Sequence, residues 1–67
     1  MSLALPLAQN PPLYDAWVRE ITDNLVTILN IPNGDAQGVV EVHPFELSQE
    51  WVKGSTGAEA AKRLSEI

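Results

Sequence analysis

The residues that could most readily do chemistry in this 67-residue chain are those of the segment 53–57, KGSTG. The free N–H groups and the dipole of a helix N-terminus attract anions, and glycine lets a ligand approach the backbone. An anion such as phosphate would therefore contact Ser55, Gly57 and Ala58. A Walker loop, however, needs its lysine after the glycines and a strand before the loop, whereas Lys53 precedes both glycines.

The same segment can also be interpreted as the joint between two helices. Gly54 suits the left-handed position that ends a helix, and Lys53 just before it complements the helix dipole. Thr56 and Glu59 match a capping box, in which each side chain bonds the backbone N–H of the other residue. Because the charge of Glu59 would repel an anion, we predict a joint and keep anion binding at 53–57 as a weak alternative.

The single histidine, His43, is the second candidate for chemistry because Glu41 and Glu46 stand close to it in sequence. A histidine beside carboxylates can bind a metal or change its charge near neutral pH. With no cysteine and no second histidine, the ligands are too few for a zinc site within one chain. The sequence also lacks a Gly-x-Ser-x-Gly nucleophile motif. We therefore predict no enzyme, no cofactor and no metal, and keep a metal at His43 as an alternative.

The charge balance argues against a nucleic-acid partner. Nine acidic residues and four basic ones give a formal net charge of −5, without a basic stripe to neutralise phosphates. Residues 1–43 hold one base and five acids, whereas residues 44–67 hold three bases and four acids, so the acidity is concentrated in the first part. That part is either a solvated surface or a face for a basic partner.

Small size limits how much the chain can bury. A domain of 67 residues buries only about 60% of the surface that its unfolded chain exposes, so small chains often depend on oligomerisation or close helix packing. We predict one domain at 12–67, preceded by an extended arm at 1–11, with a protein partner or a homo-oligomer. The apolar run at 3–8 is too short to span a bilayer. We expect no membrane partner, and the absence of cysteine fits a cytoplasmic location.

A long helix should position most of the residues that a partner could contact. Proline suits the first position of a helix, as at Pro12, and apolar residues then recur at spacings of three and four from Tyr14 to Leu29. The spacing predicts an amphipathic helix at about 12–29, whose apolar stripe is either a core face or a surface for a partner. The predicted partner-binding residues, chosen for their aromatic or aliphatic side chains, are Tyr14, Trp17, Ile21, Leu25 and Trp51.

The middle of the chain permits two interpretations. The sequence VVEVH is β-branched and alternating, which predicts a short strand near 39–43. The turn signal PNGD at 32–35 precedes it, so an α+β fold with a hairpin between 26–31 and 38–43 is the alternative. We favour a mostly α fold, because the helical stripe continues to residue 29.

Two short helices, at 45–53 and 57–66, complete the predicted fold. The first carries apolar residues on two sides, so it is either well buried or contacts a partner. Phe45 and Val52 share one side, and Leu47 and Trp51 lie on another. The apolar residues that we expect in the core are Trp17, Val18, Ile21, Leu25, Ile28, Val40, Val42, Leu47, Trp51, Ala61 and Leu64.

The segment 58–67, AEAAKRLSEI, resembles the alanine-rich first helix of many helix-turn-helix proteins, in which small residues pack beneath a recognition helix. The same string also resembles a helix at the start of cation-transporting ATPases, so this short segment identifies no family. The first resemblance implies a small DNA-associated regulatory protein, or a fragment of one, as an alternative. The apolar stripe and the lack of site chemistry favour another function. We predict a small acidic, non-catalytic module that binds or regulates a protein and associates with itself.

Overall fold

The structure, a computed structural model, describes residues 11–67, with side chains from Leu13 onward. Over this range the chain forms helices and no strand, which confirms the mostly α fold. The helices are α1 (Pro11–Leu29), α2 (Asn33–Glu41), α3 (Pro44–Lys53) and α4 (Gly57–Ser65). The predicted arm at 1–11 lies outside the described residues, apart from Pro11, which belongs to α1. None of the helices in the described part combines the length and apolar character needed to cross a bilayer.

The 19-residue helix α1 ends where the sequence predicts. Asn30 adopts the left-handed conformation, with a φ of 56°, and asparagine tolerates that conformation better than most residues. The N–H of Ile31 then donates to the carbonyl oxygen of Val26 at 3.3 Å and closes the end of the helix. Residues 26–29 are therefore helical, and the hairpin alternative is not supported.

The strand predicted near 39–43 is wrong, because residues up to Glu41 belong to α2. The N–H of Ala36 donates to the carbonyl oxygen of Pro32 at 3.0 Å, which starts the first turn. Ala36 and Val40, four positions apart, are both buried as α2 packs against α1. The burial of this helical face outweighs the local β propensity of the valines. In a strand the side chains of Val40 and Val42 would point to the same side, whereas in a helix they point in different directions. Val42 is therefore 70% exposed, and its predicted place in the core is wrong.

The core is formed mainly between α1 and α4, whose contact is the most extensive of the described helix pairs. Ala60 and Ala61 are fully buried, and their small side chains let the two helices approach closely. The prediction for Ile28 is wrong, since it lies in the last turn of α1 and is 46% exposed. The buried apolar residues are Trp17, Ile21, Leu25, Ala36, Val40, Leu47, Ala60, Ala61 and Leu64.

The joint between α3 and α4 follows the predicted capping pattern. Gly54 has a φ of 82°, a left-handed conformation that favours glycine, and the N–H of Ser55 donates to the carbonyl oxygen of Glu50 at 3.0 Å. Thr56 Oγ1 accepts a hydrogen bond from the N–H of Glu59 at 3.1 Å, and Glu59 Oε1 accepts one from the N–H of Thr56 at 2.9 Å. The predicted capping box is therefore confirmed.

Candidate functional site

Three aromatic side chains meet where α3 contacts the N-terminal half of α1. The ring centroids of Trp17 and Trp51 are 4.9 Å apart, and those of Tyr14 and Trp51 are 5.0 Å apart in an edge-to-face arrangement. Tyr14 and Trp17 complete the cluster at 5.6 Å. Tilted and edge-to-face pairs stabilise a fold beyond the area that they bury. The cluster thus fixes α3 against α1.

The predicted partner-binding residues do not form one exposed surface. Ile21 and Leu25 are fully buried, and Trp17 is 8% exposed. Tyr14 and Trp51 are half-buried and pack against the same core. The stripe on α1 therefore serves as the core face at these positions, and of these five residues Tyr14 and Trp51 are the ones that keep partial exposure.

A partly buried polar network links the α3–α4 joint to α1. Trp17 Nε1 donates a hydrogen bond to the carbonyl oxygen of Ser55 at 2.8 Å, across 38 positions of sequence. Ser55 Oγ in turn donates to Glu50 Oε1 at 2.6 Å. Lys53 Nζ donates to the other carboxylate oxygen of Glu50 at 3.2 Å. We call these four residues the joint network, and its role is to fix the joint in place.

Glu50 is the acidic centre of the joint network and is only 7% exposed. The hydrogen bond from Ser55 is the largest influence and lowers the pKa of the carboxyl, while burial acts in the opposite direction. The hydrogen bond and charge of Lys53, with the charge of Arg63, lower the pKa further. The charged form is therefore favoured in the folded protein. The sequence does not indicate this role, because Glu50 is one of several polar residues in an amphipathic helix.

The predicted anion-binding residues are used by the fold itself. The hydroxyl of Ser55 is bonded to Glu50, and Gly57 is buried. A Cβ atom added at Gly57 would lie 2.5 Å from Cδ of Glu20, so the carboxylate group of Glu20 lies over the first turn of α4. Of the three predicted residues, only Ala58 is exposed.

Negative charge therefore already accompanies the N-terminus of α4. Glu59 bonds to the backbone as part of the capping box, and Glu20 approaches from α1. Carboxylates at a helix N-terminus interact favourably with the dipole and repel an incoming anion. The two carboxylates therefore stabilise the N-terminus of α4 without a bound anion.

His43 also takes part in the fold, through a hydrogen bond at the end of α2. The ring is half-buried at the turn between α2 and α3, with Nδ1 2.8 Å from the carbonyl oxygen of Val39. Since a carbonyl oxygen only accepts, Nδ1 carries the proton, and the ring serves one of the last carbonyls of α2. Within residues 11–67 no cluster of three or more potential metal-binding side chains is present.

An open groove of about 530 Å³ lies between α1 and α2. Three carboxylates and one guanidinium line it, so its surface is acidic. Val18 and Val40 form its apolar part. The charged residues are Asp15, Arg19, Asp23 and Glu41, and the other polar residues are Thr22, Asn33 and Gln37. The groove holds three of the five acidic residues of the first part of the chain.

The outer face of α3 carries two exposed apolar side chains, with the exposed Ser48 and Gln49 between them. Phe45 is 68% exposed and Val52 is 84% exposed. They lie seven positions apart in one helix, which is close to two turns, so they share a side. Leu47 is buried and Trp51 is half-buried on the other side, against the rest of the domain. The two sides predicted for this helix are therefore different: the inner side packs against the domain, and the outer side is exposed.

Comparison with known proteins gives no match for this chain among protein families, curated proteins or solved structures.

Proposed function

We propose that the protein is a small non-catalytic module that binds a protein through the outer face of α3. The observation that supports this most is the pairing of Phe45 and Val52, two large apolar side chains exposed on one side of a helix. Single exposed apolar residues are ordinary, whereas two large ones on the same side of one helix can form the apolar part of an interaction site.

The anchoring of α3 strengthens this proposal. Its inner face is held by the aromatic cluster, and its C-terminal end is held by the joint network. A surface on a fixed helix loses little conformational freedom when a partner binds, which favours association. A regulatory role would follow from competition between partners for this one face.

Crosslinking from the face tests the proposal. A photo-reactive amino acid in place of Phe45 should give a discrete adduct with a protein in the cells that express this chain. The matched control carries the same group in place of Lys62, which is exposed on α4. Adducts of equal yield from both positions, or none from position 45, would contradict the proposal.

A DNA-associated role is the alternative that the segment 58–67 suggests. The acidic groove and the net charge of −5 oppose approach to a phosphate backbone. We expect no change in the fluorescence anisotropy of labelled duplex DNA at about 0.15 M salt, where charge screening resembles that in cells. Salt-dependent binding at that ionic strength would favour the DNA-associated alternative instead.

A further inference from the structure

The outer face of α3 belongs to the part of the chain with the smaller net charge. The chain carries one base and five acids in residues 1–43, but three bases and four acids in residues 44–67. A second copy would meet strong repulsion at the acidic groove of α1 and α2, and much less at α3. The division of charge therefore favours approach through α3 or α4, and of these two helices α3 is the one with large exposed apolar side chains.

Two charged residues flank the apolar face in a self-complementary way. Glu46 and Lys53 are seven positions apart, so they lie on the same flank of α3, one residue after Phe45 and Val52 respectively. The side chain of Lys53 is 51% exposed. It donates to Glu50, but an ammonium group has three N–H donors, so it can meet a second carboxylate.

The direction of pairing follows from these charges. If two α3 helices pack antiparallel, Glu46 of each copy faces Lys53 of the other, and Phe45 of each faces Val52 of the other. A parallel pair would instead bring Glu46 against Glu46 and Lys53 against Lys53. Antiparallel helices also align their dipoles favourably.

We propose that the outer face of α3 binds a second copy of this chain, as a symmetric antiparallel α3–α3 pair. The inference rests on the proposed function, because it names the partner of the same surface. The contact is isologous, so each copy contributes the same residues and the pair closes on itself. An interface centred on one short helix is at the small end of specific interfaces, and we expect a Kd of about 10–100 µM.

Sedimentation equilibrium of the full chain across this concentration range measures the association. The wild-type protein should shift reversibly from monomer to dimer. Phe45→Ser should weaken dimerisation by about tenfold or more, because it removes the larger of the two apolar side chains that each copy contributes to the face. Glu66→Lys, which makes a charge change on the exposed C-terminal end beyond α4, should leave the dimer unchanged.

Charge exchange tests the antiparallel register. Glu46→Lys and Lys53→Glu should each weaken self-association by about tenfold, since each variant faces like charges at both ends of the pair. An equimolar mixture of the two variants should recover dimers, because each lysine at 46 then meets a glutamate at 53. Thermal unfolding of each variant shows whether it is folded, and recovery in the mixture itself requires two folded chains.

The outcomes separate this inference from the proposed function. A wild-type chain that stays monomeric at about 1 mM, or variants that do not recover on mixing, would overturn the α3–α3 pair. Crosslinks from position 45 to a different protein would then leave the proposed function standing with another partner. If position 45 gave no selective crosslink and the chain stayed monomeric, both proposals would fail.

Discussion

Glu50→Gln should destabilise the fold in a way that depends on pH. The substitution keeps the size of the side chain but removes the charge that accepts hydrogen bonds from Ser55 at 2.6 Å and Lys53 at 3.2 Å. Hydrogen bonds to charged groups contribute about 1.5–3 kcal/mol, against about 1 kcal/mol for neutral ones. We therefore expect a loss of about 1–2 kcal/mol in the free energy of unfolding at pH 7, which is a large part of the stability of a small domain.

The sign of the pH dependence follows from the lowered pKa of Glu50. The ordinary glutamate value is 4.5, and the folded value lies below it. The charged carboxylate therefore contributes its full stabilisation above the unfolded value, and this contribution is lost as the pH falls through the folded value. The difference between wild type and Glu50→Gln should be largest at neutral pH and shrink below about pH 4.5.

Guanidinium unfolding followed by tryptophan fluorescence measures this difference, since Trp17 and Trp51 both lie in the core cluster. The matched control is Glu46→Gln, a change of the same kind on α3 at a carboxylate outside the joint network. It should cost less than about 0.5 kcal/mol at pH 7, as expected for a substitution away from such a network. An equal loss for both variants, or a Glu50→Gln difference that does not change with pH, would refute the reasoning.

Three further substitutions test the packing around the joint. Trp17→Phe leaves the Ser55 carbonyl without its indole partner and removes ring volume, so it should cost about 2–4 kcal/mol in denaturant unfolding. Thr56→Ala removes the helix cap and should lower stability by about 1 kcal/mol, seen as an earlier thermal midpoint than for wild type. Gly57→Ala places a Cβ against the end of the flexible, exposed Glu20 side chain, which can move aside, so it should cost less than about 0.5 kcal/mol, and combining it with Glu20→Ala should remove that loss. Additive effects in this double-mutant cycle would mean that the close approach carries no strain.

Local signals were sufficient to predict the end of α1 and the joint between α3 and α4. The capping box at Thr56 and the left-handed Gly54 are properties of a few neighbouring residues, and both appear in the structure as expected. The long helix α1 was equally clear, because its apolar period extends over many turns. These features depend little on what the rest of the chain does.

The segment 39–43 shows where local signals stop being decisive. Its valines favour a strand, but Ala36 and Val40 also fit one face of a helix, at a spacing of four. Whether the segment forms a strand or a helix depends on the surface of α1 against which it packs. That surface exists only in the folded chain. The same dependence on packing explains the exposed positions of Ile28 and Val42.

The candidate site was only partly predictable for a related reason. The sequence indicates that the segment 53–57 is a joint. The hydrogen bond from Trp17 to Ser55 could not be predicted, because it joins residues 38 positions apart that share no sequence pattern. Similarly, nothing in the sequence indicates that Glu20 covers Gly57. Both contacts exist because α4 packs along α1, and a single sequence gives no direct measure of such a pairing.

The same contacts connect the joint to the proposed binding surface. The inner side of α3 is fixed by Trp51, and its C-terminal end by Glu50 and Lys53, so the direction of the outer face is set by the joint. Lys53 belongs to both, since it bonds to Glu50 and flanks Phe45 and Val52 on the exposed side. Protonation of Glu50 at low pH would release Lys53 and loosen the end of the helix that holds Val52. A surface held in this way should lose stability as the pH falls, because the charged Glu50 supports the end of the helix that presents it.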